Sequence, residues 1–143
     1  MNNKQTLNLI EGEILLLNKP LNWTSFDIVN KIRIIIRNKL GIKKIKIGHA
    51  GTLDPLATGL LIVCTGKATK KIANLQETDK EYTGSFCIGE TTPSFDRETM
   101  VDKTYDILSI THDMIYKTAT NMVGEQMQEP PIFSAKKVQG QRL

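Results

Sequence analysis

The sequence predicts one domain of the α+β class. Its 143 residues, 40% of them hydrophobic, are enough to bury one substantial core. Strand-like and helix-like segments follow one another without the regular βαβ alternation of a parallel sheet, which favours α+β over α/β. The chain shows no internal repeat, low-complexity tract or linker, so nothing in the sequence indicates a second domain.

Strands and one long helix are predicted in the first half of the chain. The segment "EILLLN", residues 13–18, is typical of a buried strand and is followed by the turn-like "KPLNW". Apolar residues recur every three to four positions in "SFDIVNKIRIIIRNKLG". This spacing predicts a helix with Thr24 or Ser25 as its N-cap and Gly41 after its last turn. A short strand, "KKIKIG", and a strand expected to be buried on both faces, "GLLIVCTG", enclose a glycine-rich loop.

The second half continues the mixture of strands and helices. The segment "KATKKIANLQ" predicts a short helix, and the alternating "KEYTGSFCIG" predicts a strand. A further helix is predicted in "THDMIYKTATNMVG", with Thr111 as its N-cap. The final segment, "GEQMQEPPIFSAKKVQGQRL", has the pattern of one more strand.

The net charge and the cysteine content exclude few classes of protein. The formal charge of +4 and the pI near 9.1 suit a polyanionic partner, but they are also common in proteins that bind none. Cys64 and Cys87 lie in apolar surroundings without CxxC or histidine spacing, so we expect two reduced, buried thiols. Neither a signal peptide nor an apolar run of membrane-spanning length is present, which favours the cytoplasm.

The segment "KIGHAGTLDPLATGLLIVCTG" places four glycines and a proline around a single carboxylate, Asp54. It does not match GxxxxGK[ST] or GxGxxG, which argues against a phosphate loop and a dinucleotide site. His49 and Asp54 are too few for a metal cluster, and the loop lacks the second acid that glycosidase chemistry requires. The remaining chemical use is a lone nucleophile, since a free aspartate is ionised near neutral pH.

A structural use of Asp54 competes with the chemical one. An aspartate in a loop rich in glycine and proline is more often an Asx-turn or cap residue than a catalyst. Pro55 disfavours helical geometry at Asp54, and the glycines permit tight turns and the close approach of a bulky ligand. The residues alone favour the structural interpretation.

Four ordered segments resemble motifs of the TruB family of pseudouridine synthases, bacterial type. The loop segment "GHAGTLDPLATGLLIVCTGKATK" is similar to the family's G-[TS]-L-D-P-x-[AV]-T-G motif, which carries the catalytic aspartate. The segment "LLLNKPLNWTSFDIV" resembles its KPxGxTS motif, and "KEYTGSFCIGETTPSFD" resembles its tyrosine-containing strand. Finally, "QMQEPPIFSAKKVQGQRL" resembles its Q-x-PP-x-[YF]-SAxKxxG segment. Together these motifs cover nearly the whole chain.

The resemblance implies a pseudouridine synthase catalytic fold, a mixed, largely antiparallel sheet flanked by helices and incomplete at the C-terminus. Residues 1–143 then correspond to the N-terminal part of the catalytic domain, with its remainder and a C-terminal RNA-binding domain absent. We expect this chain alone to be inactive, because the family's basic partner of the aspartate lies in the missing part.

The implied activity is isomerisation of uridine to pseudouridine at position 55 in the T loop of tRNA. The base is flipped out of the RNA, and Asp54 acts as the nucleophile. The resemblance implies no cofactor and no metal. It implies the T stem-loop of tRNA as partner, no membrane, no obligate protein partner and a monomer at full length.

Individual site residues follow from the same motifs. Tyr82 matches the tyrosine beside the flipped base, where its ring stacks and its hydroxyl assists proton removal. His49 matches the histidine that fills the gap left by the base, and Lys19 matches a lysine that supports the active-site loop. Gly51 and Thr52 belong to the implied substrate-binding set. The structural alternatives are a core-facing strand aromatic for Tyr82, a loop histidine for His49 and a solvated side chain for Lys19.

Two basic segments, "RNKLGIKKIKIG" and "GKATKK", are candidates for gripping RNA phosphates, with a solvated charged face as the alternative. Several positions depart from the family pattern. Ala50 replaces the usual threonine or serine, Trp23 stands where many members have glycine, and Asn22 and Phe133 are milder variants. Two other functions stay open: a guide-RNA-dependent synthase subunit of the dyskerin type, and a non-catalytic RNA-binding or RNA-folding module.

Overall fold

The computed structural model describes residues 7–128 and the backbone of residues 137–138 and 141–142. The chain divides into two compact units, Met1–Tyr82 and Thr83–Leu143. Helices and antiparallel strands both occur, which confirms the predicted α+β class. No helix in the described ranges is long and apolar enough to cross a membrane.

A three-stranded antiparallel sheet forms the centre of the first unit. Its strands are β1 (Ile14–Lys19), β2 (Ile47–His49) and β3 (Gly59–Thr65), in the spatial order β1-β3-β2. Lys19, the last residue of β1, lies opposite Gly59, and His49, the last residue of β2, lies opposite Val63. The predicted strands are therefore confirmed, with β1 shifted by one residue and β2 beginning four residues later than its pattern. The register brings the ends of β1 and β2 to the loop that precedes β3.

The helix α1 (Ser25–Leu40) has the ends that its sequence predicts. Thr24 is the N-cap: its hydroxyl accepts from the backbone of Asp27, whose carboxylate accepts from the Thr24 backbone. The Thr24 hydroxyl also donates to the Asp27 carboxylate, and this bond, together with the one from the Thr24 backbone, lowers the pKa of Asp27. The stability that the two bonds contribute at neutral pH is lost as pH falls through that lowered value. Gly41 closes the helix at φ 68°, a left-handed conformation that favours glycine.

The core of this unit lies between α1 and the sheet. Val29 and Ile36 of α1 are buried, as are Leu61 and Val63 of β3. The prediction that β3 is buried on both faces holds for its last three residues but is wrong at its start, where Leu60 is 61% exposed. Two short helices follow β3, and the first of them contacts the strand.

Those helices are a 3-10 turn, Gly66–Lys71, and α2 (Ile72–Gln76), which together confirm the predicted short helix. Ile72 packs so closely on β2 that a Cβ added at Gly48 would lie 2.8 Å from its Cδ1 atom. Gly48 lies opposite Cys64 in the sheet, so this contact covers the end of β3.

The second unit contains a two-residue pair of strands, β4 (Glu90–Thr91) and β5 (Lys103–Thr104), and the helix α3 (His112–Asn121). Thr111 caps α3 as predicted, because its hydroxyl accepts from the Met114 backbone. A second short pair, β6 (Lys137–Val138) and β7 (Gln141–Arg142), falls within the last predicted strand segment. Residues 129–136 of that segment lie outside the described residues.

The strand predicted in "KEYTGSFCIG", residues 80–89, is wrong. The backbone of residues 79–87 has no regular secondary structure. Alternation of apolar and polar residues predicts which side chains share a face, but a strand also needs a partner for its backbone groups. Among residues 7–128 no segment pairs with this one. Its apolar side chains are correspondingly exposed, Phe86 among them.

The two cysteines have different environments, and the prediction that both are buried is wrong for Cys87, which is exposed. Cys64 is buried in β3, where burial raises the pKa of its thiol and the charge of Lys71 offsets part of that rise. The thiolate is the reactive species, so we expect an aromatic disulfide reagent to modify Cys87 in the folded protein and Cys64 only after denaturation. Equal rates at the two thiols, measured by mass spectrometry, would contradict this assignment.

Candidate active-site loop

Asp54 lies in the loop of residues 50–58, which joins β2 to β3, as the sequence predicts. The Asp54 carbonyl accepts from the Ala57 N–H at 3.0 Å, which makes residues 54–57 a tight turn with Pro55 at its second position. The Asp54 side chain is exposed, and its carboxylate accepts no hydrogen bond from any residue in the described part of the chain. An Asx-turn or cap would require such a bond. The carboxylate is therefore available to a ligand.

The residue before Asp54 is tied to the start of α1. Ser25 is only 2% exposed, and its hydroxyl accepts from the Leu53 N–H at 2.9 Å. The same hydroxyl lies 3.3 Å from the Leu53 carbonyl oxygen, to which it donates. Ser25 thus contacts both backbone groups of Leu53. The sequence predicts Ser25 only as a helix cap, because a contact over 28 residues leaves no local pattern.

The residue after Asp54 is tied to the turn that precedes α1. The Asn22 N–H donates to the Pro55 carbonyl at 2.7 Å. Asn22 has φ 63°, in the left-handed region that glycine and asparagine adopt most readily. Asn22 therefore occupies the glycine position of KPxGxTS, and assigning that position to Trp23 is wrong. Asparagine fulfils the conformational requirement without a glycine.

Lys19 is fully buried, so the solvated alternative for this residue is wrong. Its Nζ donates to the carbonyl oxygens of Pro20, at 3.0 Å, and Trp23, at 2.6 Å. No acidic side chain of the described residues forms an ion pair with it. Lys19 therefore acts on the backbone of the 20–23 turn, which in turn contacts the loop through Asn22.

His49 and Gly51 are in direct contact at the other end of the loop. The half-buried His49 side chain approaches the Gly51 carbonyl through Nδ1. A carbonyl oxygen only accepts, so Nδ1 carries the proton and Nε2 remains for another partner. Gly51 has φ 110°, a conformation that side chains disfavour. Thr52 is exposed.

Tyr82 lies apart from these contacts. It is 71% exposed and belongs to the segment that forms no strand, so the core-facing alternative is wrong. No hydrogen bond within residues 7–128 joins Tyr82 to the loop of Asp54. The structure therefore brings Lys19, His49 and Gly51 to the ends of one loop with Asp54, but it does not include Tyr82 in that group.

Four cations gather beside α1. Arg33 of this helix lines an open cleft with Lys43, Lys44 and Lys46 of the segment that leads into β2. None of them has an acidic partner among the residues that the structure describes, where the ion pair present joins Lys67 to Glu11. We call Arg33, Lys43, Lys44 and Lys46 the basic cleft. Arg33 lies outside the two basic segments that the sequence indicates, because it precedes them within α1.

Groups that hold a metal ion are not found in the described ranges, where no three or more histidine, cysteine, aspartate or glutamate side chains cluster. The chemistry that this loop offers is that of one carboxylate on a held turn, with a histidine at the beginning of the loop.

Comparison with known proteins places the chain in a family. Residues 37–143 match the model of the TruB family pseudouridylate synthase, N-terminal domain. A tRNA pseudouridine synthase B of Flavobacterium johnsoniae is 57% identical over 135 residues, which are 94% of this chain and 59% of the relative. Proteins of the same name from Phocaeicola vulgatus and Chloroherpeton thalassium are 54% and 49% identical, over 95% and 93% of this chain and 58% and 54% of their own lengths. The chain thus spans less than two thirds of each relative, and it belongs to the TruB family of pseudouridylate synthases.

Proposed function

We propose that this protein acts in the cytoplasm to convert uridine to pseudouridine in tRNA, at position 55 of the T loop, with Asp54 as its nucleophile. One observation carries the proposal: the exposed Asp54 carboxylate has no partner among the described residues, whereas the backbone on both sides of it is held. The relatives named tRNA pseudouridine synthase B support the choice of substrate.

The reaction exchanges one bond between base and sugar for another. The uridine leaves its stack at a cost of roughly a few kcal/mol, which contacts with the protein must offset. The Asp54 carboxylate forms a covalent bond with the flipped nucleoside, and the N1–C1′ bond breaks. The base then rotates and C5 bonds to C1′, after which C5 loses its proton and N1 gains one. Release of Asp54 restores the enzyme, so atoms balance without a cofactor.

The other residues have supporting roles in this proposal. His49 enters the space that the flipped base leaves, and its ring is already oriented by the Gly51 carbonyl. Gly51 and Thr52 line the approach of the nucleoside to Asp54. Tyr82 stacks on the flipped base and assists removal of the C5 proton, which its exposed ring leaves it free to do.

The direct test is formation of pseudouridine in a tRNA transcript by the full-length product of the gene. We expect product in the wild-type transcript and none when the uridine at position 55 is replaced by cytidine. Modification of the second transcript to the same extent would contradict the proposed position. The absence of product from both would contradict the proposed activity.

The basic cleft supports a second candidate, an RNA-binding module without catalysis, because its four cations have no acidic partner among the described residues and phosphate binding needs no nucleophile. Both candidates share a salt-sensitive affinity for RNA, since bound cations release counterions from the phosphates. Product formation separates them: a module that binds tRNA and leaves its uridines unchanged supports the second candidate and excludes the first.

Charge reversal at Lys43, Lys44 and Lys46 should weaken tRNA binding and flatten its salt dependence. The logarithm of the association constant falls linearly with the logarithm of the salt concentration. The steepness of this line should decrease by about 0.7–0.9 for each phosphate that the variant no longer neutralises. Lys117→Glu is the control for the change of charge, because Lys117 is an exposed lysine of α3 that lies outside both basic segments. Filter binding at several salt concentrations measures the slope. An unchanged slope in the triple variant would assign these lysines to a solvated face.

A further inference from the structure

We propose that Ser25 is a positioning residue for Asp54, and that Asn22 acts with it as the second half of a clamp. The inference rests on the proposed role of Asp54. Ser25 holds Leu53 and Asn22 holds Pro55, so the residues adjoining the nucleophile are tied to the first residue of α1 and to the turn that precedes this helix. Neither clamp residue touches substrate in this proposal, since each acts through the backbone of the loop.

The Ser25 half of the clamp is buried, and its hydroxyl acts as both donor and acceptor. The oxygen accepts at 2.9 Å and donates at 3.3 Å, both to the backbone of Leu53. With 2% exposure, water does not compete effectively for these bonds. Ser25 is also the first residue of α1, and the buried Val29 fixes this end of the helix to the core. Through Ser25, the backbone of Leu53 is therefore held in a defined position relative to the core of this unit.

The loop needs such a clamp because its ends are permissive. Gly51 and Gly59 have φ values of 110° and 132°, and no neighbouring atom lies within 4 Å of where a Cβ would be. Glycine adopts such φ values freely and has no side chain to pack, so these two residues do little to fix residues 52–58 between them. The turn bond from Ala57 to Asp54 shapes residues 54–57 but does not attach them to the rest of the molecule. His49 contacts the beginning of the loop at Gly51, whereas the residues on either side of Asp54 are attached by Ser25 and Asn22.

The first test replaces the Ser25 hydroxyl. In Ser25→Ala we expect kcat for pseudouridine formation to fall on the order of 10- to 100-fold, because a displacement near 1 Å has effects of this size. We expect KM and the Kd for tRNA to stay within about twofold, since the clamp makes no contact with RNA. The Leu53 amide should exchange with solvent about 10-fold faster or more. Ser25→Thr, which retains the hydroxyl, should recover most of kcat.

A control variant separates positioning from stability. Thr24→Ala removes the capping hydroxyl of the same helix end but leaves the Ser25–Leu53 bonds in place. We expect Thr24→Ala to lower Tm at least as much as Ser25→Ala does, while its kcat stays within about twofold of wild type. Equal losses of kcat in the two variants would mean that Ser25 acts through helix stability, which would overturn the proposal.

The Asn22 half of the clamp is tested with substitutions that differ in how readily they adopt the left-handed conformation of this residue. Asn22→Gly keeps the left-handed conformation and the N–H that donates to Pro55, so we expect unchanged kcat. In Asn22→Val the β-branched side chain disfavours φ 63°, and kcat should fall about 10-fold or more with unchanged KM. Comparable kcat in Asn22→Val and Asn22→Gly would overturn this half.

The readouts distinguish this inference from the function on which it rests. If the wild-type protein forms pseudouridine and Ser25→Ala forms it at the same rate, the clamp is wrong and the proposed function stands. If the wild-type protein forms none, the proposed function fails, and an unchanged exchange rate of the Leu53 amide in Ser25→Ala would reject the tether as well.

Discussion

Asp54→Asn is expected to abolish pseudouridine formation while the affinity for tRNA stays within about threefold of wild type. The amide has nearly the shape of the carboxylate but is not a nucleophile. Because no described residue donates to the Asp54 carboxylate, its replacement breaks no hydrogen bond that supports the fold. Loss of turnover would therefore report chemistry and not unfolding. Release of tritium from tRNA labelled at C5 of uridine measures turnover, and filter binding measures affinity.

Asp27→Asn is the matched control for this experiment. It makes the same chemical change at an acid in the neighbouring segment, but Asp27 serves the N-terminus of α1 through Thr24. We expect a modest loss of stability, typical of a weakened helix cap, and turnover close to that of wild type. Tritium release by Asp54→Asn at the wild-type rate would reject Asp54 as the nucleophile.

Lys19→Met is expected to destabilise the protein by about 2–4 kcal/mol. The variant keeps an unbranched side chain in the buried site but leaves the carbonyls of Pro20 and Trp23 without their donor. Each unsatisfied carbonyl costs about 1–3 kcal/mol, and relief from burying the ammonium group offsets only part of this. The free energy of unfolding in urea measures the effect.

Lys67→Met provides the comparison for Lys19. Lys67 also has a hydrogen-bonded partner, Glu11, but the two side chains are 73% and 60% exposed. Solvent screens such a pair, so we expect a change of about 1 kcal/mol or less. A loss at Lys19 no larger than the loss at Lys67 would show that the two carbonyl contacts contribute little to the 20–23 turn.

Local features of the fold could be predicted from the sequence because their causes are local. Thr24, Asp27 and Gly41 mark the ends of α1 through side-chain and backbone preferences that act within one turn. The apolar run of β3 predicted a strand, and the position of Asp54 between β2 and β3 followed. The strand predicted at residues 80–89 was wrong because the local pattern indicates which side chains share a face but does not provide a partner strand.

The loop's surroundings could not be predicted, because they depend on contacts between distant segments. Ser25 meets Leu53 across 28 residues, and Arg33 joins three lysines that follow the end of its helix. Lys19 was expected to be solvated if it had no role, yet the pairing of β1 with β3 buries it opposite Gly59. Long-range pairing decides burial, and burial decides whether a lysine is a surface charge or a structural donor.

The sequence by itself determined the family motifs, the ends of α1 and the presence of a single carboxylate in a glycine-rich loop. It did so because residue type and spacing along the chain are sufficient for caps, turns and motifs. Only the tertiary structure decided that the Asp54 carboxylate lacks a local partner while Ser25 and Asn22 hold its neighbours. The physical reason is that hydrogen bonds form between groups that folding brings within about 3 Å, whatever their separation in sequence.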